Sequence, residues 1–376
     1  VRNAEAAVAV LVGLGDGNKR HIAADVAIPI QIGQRAQNGG HELHQAARLE
    51  LALVITDMPA VIGEALLLGV TLHNLNAGAD HQSAAHLHVL HFSLAGGQSL
   101  IQQLREARTE AVVSEVAPES VMNLIENVET TGNIYGVEKP SYGQDGTDVL
   151  VYIGEVAAIK VPEMAKHLLA LLAKAGVSAK VLANEPASGV MLGDLMGYTE
   201  EVRKQAEVCA KALNETGLPV VVLDSYDAEI MTQKYPEWGC EITAGVTTAT
   251  AFVAKLLEEK KLAAKAALGT LGACHDDDRL ARPFHEFAPV RSIAKAAGYE
   301  LTEMFNHEKL AKSCGTAVAY GYMPELVTRI AGGRWDDLTR TDAKAMLVAC
   351  PETWLCFSLC VPEGYQLVDL FGGVEI

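Results

Sequence analysis

Two rows of oxygen and sulfur side chains, set in register along the chain, are the residues best suited to chemistry. The first row runs Glu155, Ala187-Ser188-Gly189, Asp224 and Asp227, with 31 residues between Glu155 and Ala187 and 35 between Ser188 and Asp224. The second runs Asp278, Ser313-Cys314-Gly315, Cys350 and Thr353, with 34 residues between Asp278 and Ser313 and 35 between Cys314 and Cys350. Ala187 and Ser313, Ser188 and Cys314, Asp224 and Cys350, and Asp227 and Thr353 are each 126 residues apart. That register marks residues 148–376 as a duplicated unit. Carboxylates are hard donors that suit Mg2+, Mn2+ or Ca2+, whereas thiolates are soft donors that suit zinc or iron-sulfur clusters.

The spacing resembles the cysteine-rich CCG repeat of heterodisulfide reductase catalytic subunits and of the iron-sulfur subunits of glycolate oxidase and anaerobic glycerol-3-phosphate dehydrogenase. His275-Asp276-Asp277-Asp278-Arg279-Leu280-Ala281-Arg282 is similar to that family's H-D-P-C-x-L-x-R, with Asp278 in the cysteine's place. Ser313-Cys314-Gly315 stands for C-C-G, and Cys350-Pro351-Glu352-Thr353 for C-P-x-C. In the first copy Gly154-Glu155 replaces G-C, and Ala187-Ser188-Gly189 replaces C-C-G. Residues 123–136 are similar to the linker that follows a ferredoxin module in these proteins.

The resemblance implies an oxidoreductase subunit of heterodisulfide-reductase type that passes electrons in a multi-subunit complex. Its partners would be a flavoprotein, a ferredoxin-like protein or a membrane quinone-linked subunit. A cluster of 4Fe-4S type needs thiolates, and the first row has none, so its Glu155, Asp224 and Asp227 are read instead as a hard divalent-metal set. In the second row Asp278, Cys314 and Cys350, with Cys274 or Cys356, could hold one metal or one cluster. A helix N-terminus after Cys314 would favour its thiolate. Two alternatives stay open: a non-catalytic paralogue acting as a scaffold for redox partners, and a divalent-metal protein using the first-row acids.

These positions need a frame to hold them. From Asp148 onward, short β-rich runs (DVLVYIG, AKVLAN, PVVVLDS, AALGTLGAC, ELTEMF, AMLVAC and YQLVDL) alternate with amphipathic stretches at 162–176, 198–217, 243–262 and 316–330. Such alternation predicts an α/β fold of two pseudo-symmetric Rossmann-like parallel-sheet halves, 148–265 and 266–376. Row residues then fall at the carboxyl ends of strands and at helix starts, where α/β proteins hold ligands. Residues 111–147 read as a linker.

Residues 1–110 follow another pattern, with Lys19 as the only lysine and eight of the chain's twelve histidines. Their periodicity assigns no fold. Gly13-Leu14-Gly15-Asp16-Gly17 puts Asn18 where a dinucleotide turn needs its third glycine, and His41-Glu42-Leu43-His44 lacks the spacing of a zincin pair. His81, His86, His88 and His91 have no cysteine or paired carboxylate beside them to complete a coordination set.

Composition narrows the function further. A formal charge of −17 lacks the concentrated Lys and Arg that phosphate backbones require, so no nucleic-acid partner is expected. The longest apolar run, 49–72, is broken by Asp57, Pro59 and Glu64, which argues against a membrane span. No leader sequence is read at Val1, and the seven cysteines are an odd number. The expectation is a cytoplasmic protein, membrane-associated only through a partner. No G-x-S-x-G, P-loop or C-x-x-C occurs.

Overall fold

Runs of Val, Leu, Ile and Ala flanked by polar turns are the signature of strands buried on both faces of a parallel sheet. In the computed structural model, which describes residues 100–315 and 317–374, these runs build two sheets. In the first, β1 (Val149–Tyr152), β2 (Ala179–Lys180), β3 (Val220–Val222) and β4 (Val246–Thr248) lie in the order β2-β1-β3-β4, all parallel. In the second, β5 (Leu271–Cys274), β6 (Glu300–Leu301), β7 (Ala345–Val348) and β8 (Gln366–Asp369) repeat that order as β6-β5-β7-β8. The central strands are entirely buried in β1, β3 and β7. The α/β fold with two equivalent halves is therefore as expected.

Helices supply the crossovers that parallel pairing demands. In chain order they are α1 (Leu100–Val113), α2 (Glu119–Thr131), α3 (Glu155–Ile159), α4 (Pro162–Lys174), α5 (Val190–Met196), α6 (Glu200–Asn214) and α7 (Ser225–Gln233). They continue as α8 (Ala249–Glu258), α9 (Asp278–Ala281), α10 (Phe287–Ala296), α11 (Ala317–Tyr322), α12 (Val327–Thr339), α13 (Pro351–Ser358) and α14 (Leu370–Gly373). Proline in the first turn of α4 has no amide to satisfy, and the helix buries Met164, Ala165, Leu168, Leu171 and Leu172 along one stripe. Helix α6 does the same with Val202, Ala206, Cys209, Ala210 and Leu213, which makes Cys209 a core residue.

Two expected helices differ. The stretch 243–262 was read as one helix, but Val246-Thr247-Thr248 pairs with β3 as the edge strand β4. The turn at Gly245 (φ +85) resets the chain direction, and Thr248 then caps α8 by accepting from Ala251 N. Short β-branched runs beside a helix carry too few residues to show their period. The stretch 316–330 is broken at Pro324, where a 3-10 turn separates α11 from α12.

Spatial contacts divide the chain into two units, Val1–Leu104 and Arg105–Ile376, and both sheets belong to the second. The expected linker contributes α2, which packs on α5 and α11. The readings at 13–18, 41–44 and the histidine set at 81–91 lie outside the described residues. No described helix is long and apolar enough to cross a membrane.

Candidate functional site

Matching places in the two sheets hold matching row residues. Glu155 and Asp278 each open a short helix after the first strand of their sheet, α3 and α9. Asp224 and Cys350 are each the N-cap of the helix after the third strand, α7 and α13. Ser188 and Cys314 each precede a helix of the second crossover, α5 and α11.

In the first half, Glu155, Ala187, Ser188 and Asp227 line one cavity of about 10 Å³, with Tyr152 and Gln205 among its other walls. That is room for roughly one water molecule. Ser188 Oγ donates to Asp227 Oδ1 at 2.5 Å and accepts from Val190 N at 3.1 Å. Burial, followed by the nearby Asp227 charge, pushes the Glu155 carboxyl up to about 8. Burial and Asp224 likewise raise Asp227 well above the ordinary aspartate range. Asp224 does not line this cavity. Its Oδ1 accepts from Tyr226 N at 3.0 Å, and burial lifts the group to about 7. Glu155 and Asp227 thus share a pocket while Asp224 turns toward the other half. Among the described residues no three His, Cys, Asp or Glu side chains are grouped to hold a metal ion.

A cavity of about 120 Å³ lies at the ends of β1 and β2, lined by Lys139, Tyr142, Ile153 and Glu185 among others. Glu185 accepts from Ile153 N at 2.7 Å and Gly154 N at 3.0 Å, and pairs with Lys139 at 2.7 Å. No row residue lines it.

In the second half, the hub is Asp277, which sequence reasoning passed over in favour of Asp278. Asp277 caps α9 by accepting from Arg279 N and Leu280 N, and its carboxyl also takes Ser225 Oγ at 2.6 Å and Thr353 Oγ1 at 2.5 Å. The signal available in sequence was its place directly before a helix start, where Asp is a favoured cap. Asp278 is held by Arg282 Nη1 at 3.1 Å and by Tyr226 OH at 3.4 Å.

The second-row cysteines are all buried thiols. Cys350 Sγ lies 3.3 Å from Ser225 Oγ and donates to Asp224 Oδ1 at 3.6 Å. Cys314 departs from expectation: its hydrogen bond with Cys356 and then burial push its pKa well up, away from thiolate. Helix α11 begins only at residue 317, and Cys314 Sγ donates to Gly315 O at 3.6 Å rather than receiving helix amides. Tyr320 OH sits 3.7 Å from Cys356 Sγ. Cys274 is elsewhere. Burial pushes it up to about 12, and the charges that act on it most are Arg291, Asp276, Glu303 and Lys295, none of them a row residue.

These partners can be compared with the donor set that a cluster requires. A cubane cluster needs four thiolates, or three with one substitute. Ser313 Oγ is taken by Gly315 N, Thr353 donates to Asp277, and Asp278 is held by Arg282. Cys314, Cys350 and Cys356 remain, each buried; the hydrogen bond with Cys356 and then burial raise Cys314 well above the usual thiol range, and burial does the same for Cys350. The residues present do not fit such a cluster.

Arg279, Arg291 and Arg334 are each engaged within the fold. Arg279 is forked onto Asp194 at 2.8 and 3.0 Å, pairs with Glu229 and stacks over the Tyr226 ring. Arg291 takes both oxygens of Asp276 at 2.7 and 3.0 Å. His275 accepts from Arg334 Nε at 3.1 Å, and burial together with Arg334 and Arg282 keeps its ring neutral.

No family model matches the chain, and no curated protein matches it. Among solved structures it is similar to a hypothetical protein from Helicobacter pylori, at 12% identity and a TM-score of 0.53, over 88% of this chain and 66% of that one. The chain thus spans just under two-thirds of that protein's length, and the likeness is one of fold. An aspartate racemase homologue from Pyrococcus horikoshii OT3 (10% identity, TM-score 0.27, 60% of this chain and 95% of that one) was also found. So was the aspartate racemase of Picrophilus torridus (9% identity, TM-score 0.27, 60% of this chain and 88% of that one).

Proposed function

We propose that the chain is a subunit of a heterodisulfide-reductase-like redox assembly in which it acts as a scaffold, keeping the duplicated fold without a cluster. The observation that carries this reading is the state of the second row. Three of its positions are engaged by the first half or by Asp277: Cys350 with Asp224, Asp278 with Tyr226, and Thr353 with Asp277, which also takes Ser225. A donor set so engaged stabilises the contact between halves and leaves little for a prosthetic group.

A second reading has one observation in its favour, the contact of Cys314 with Cys356 in the half that also carries Cys350. In that reading a modified site in the second half carries electrons for a flavoprotein, a ferredoxin-like protein or a quinone-linked partner.

Anaerobic purification of the full chain separates the two. The scaffold reading expects colourless protein with iron and acid-labile sulfide far below one per chain, and co-purification of a redox subunit. Brown protein absorbing near about 400 nm, with stoichiometric iron and sulfide, would overturn it in favour of the electron carrier.

A further inference from the structure

The two halves clasp each other twice, through helices in equivalent places. The helix after the fourth strand of each sheet packs on the first-crossover helix of the other half, α8 on α10 and α14 on α4. In each case the residue that caps the outer helix reaches across. Thr248, the cap of α8, donates through Oγ1 to Glu286, the residue before α10, at 2.6 Å. Asp369, the cap of α14, accepts from His167 Nδ1 of α4 at 2.7 Å.

The second clasp is built on an imidazole, which titrates near neutral pH. Asp369 divides its carboxylate, with Oδ1 accepting from Phe371 N at 2.9 Å and Oδ2 taken by the ring. The Asp369 side chain is 13% exposed and that of His167 43%, so the ring can exchange its proton with solvent. Gly372 makes the close approach possible, because a Cβ there would stand 2.5 Å from His167 Nδ1. In the same helix Leu370 and Phe371 are buried.

Few other charges bear on the pair. Glu163 and Lys166, on α4 itself, act on His167 in opposite directions and are bonded to each other at 2.7 Å. Of the elements packed on α4, α14 contains no ionisable residue beyond its cap, α3 contains only Glu155, and β2 contains Lys180, 3.5 Å from Asp145. Helix α10, which packs on α14, carries Arg291, held by Asp276, and Lys295. The hydrogen bond to Asp369 raises the His167 pKa above its usual 6.5, against the opposing effect of partial burial.

We propose that His167 and Asp369 form a pH-sensitive latch: the charged imidazole holds α14 of the second half on α4 of the first, and loss of its proton loosens that helix. The neutral ring still donates from Nδ1, so the latch weakens by loss of charge rather than by loss of the bond. A group whose pKa is raised by folding adds stability that is full below its unfolded value and is lost as pH rises through the folded one. The loosening therefore falls above pH 6.5. It is independent of both functional readings, since neither a cluster nor a partner enters it.

Two measurements on the full chain test the latch. In nuclear magnetic resonance of protein with isotope-labelled histidine, with the His167 signal assigned by its loss in His167→Gln, the ring should titrate with a midpoint above 6.5. That midpoint should fall in Asp369→Asn, which keeps an oxygen to cap α14. In hydrogen exchange corrected for the intrinsic rate, protection of the segment containing α14 should drop about threefold or more between about pH 5.5 and 8.5. The drop should exceed that of β3, which reports global opening. The excess should vanish in His167→Gln and in Asp369→Asn, so either variant serves if the other does not fold. A parent midpoint at or below 6.5, an α14 drop no greater than that of β3, or an excess that survives in a folded variant overturns the proposal.

Discussion

Cys350 Sγ lies 3.6 Å from Asp224 Oδ1, although the two are 126 residues apart and hold the same N-cap place in the two repeats. Both residues follow the third strand of their sheet, so the two halves meet at the carboxyl ends of β3 and β7. Around this contact run Ser225 to Asp277, Tyr226 to Asp278 and Arg279 to Asp194 and Glu229, each from one half to the other.

The contact predicts a difference between two substitutions at Asp224. Asn keeps an oxygen to cap α7 and is neutral, as the buried acid is below about pH 7. Asp224→Asn should therefore melt within a degree or two of the parent in EDTA at mildly acidic pH. Asp224→Ala removes the cap as well, costing about 1–2 kcal/mol, and should melt several degrees lower. Equal melting of the two variants would show that the cap contributes nothing.

Stability should fall as pH rises. Burial and Asp227 lift Glu155 from 4.5 to about 8, and burial lifts Asp224 from 3.8 to about 7. Between the ordinary and the raised values the folded chain holds more protons than the unfolded one, so stability is full below the lower value and is lost through the higher. In EDTA, melting at about pH 5.5 should exceed that at about pH 8.5 by on the order of 5 °C or more. Glu155→Gln should shrink the gap, and a parent melting temperature that climbs with pH would contradict the assignment.

Arg279 is the ion pair with most to lose. Its guanidinium is 15% exposed and satisfies Asp194 and Glu229 of the first half at once. Arg279→Met would leave two acids without their cation, a loss of about 3–5 kcal/mol and a melting temperature lower by about 10 °C. Arg279→Lys keeps the charge without the fork and should fall between. A double-mutant cycle with Asp194→Ala, read by chemical denaturation, should report a coupling above about 1 kcal/mol.

Gly154 is required twice over. Its φ of +79 disfavours any side chain, and a Cβ there would collide with Asp227 Oδ2. Gly176 has a similar φ of +73 with nothing within 4 Å of an added Cβ. Gly176→Ala should cost about 1–2 kcal/mol from backbone conformation alone, and Gly154→Ala clearly more. Thermal melts of the two variants compare them directly, and equal losses would mean that Asp227 moves aside freely.

Much of the frame was legible along the chain because strands buried on both faces must be continuously apolar, as Val149–Tyr152 and Val220–Val222 are. Helix α4 was legible from a first-turn proline and a spaced apolar stripe. The edge strand β4 was not, since Val-Thr-Thr directly before an amphipathic helix reads as part of that helix until a neighbouring strand pairs with it.

The candidate site was legible only in part. Spacing placed Glu155, Ser188 and Asp224 opposite Asp278, Cys314 and Cys350, because repeat register is a property of the chain alone. It could not separate Asp277 from Asp278, since adjacent acids at a helix start differ only in which way each side chain faces. Asp277 faces inward to Ser225 and Thr353, and Asp278 faces Arg282 and Tyr226.

Sequence by itself determined the duplication, the order of seven of the eight strands, and which residue types stand at the strand ends, for these follow from periodicity and spacing. Tertiary structure alone decided that Asp224 meets Cys350, that Cys314 is a thiol beside Cys356, and that Glu352 is buried without a partner. Those outcomes depend on how two separately wound sheets pack their carboxyl ends together. Burial and neighbouring charge, which set protonation, exist only once that packing is made.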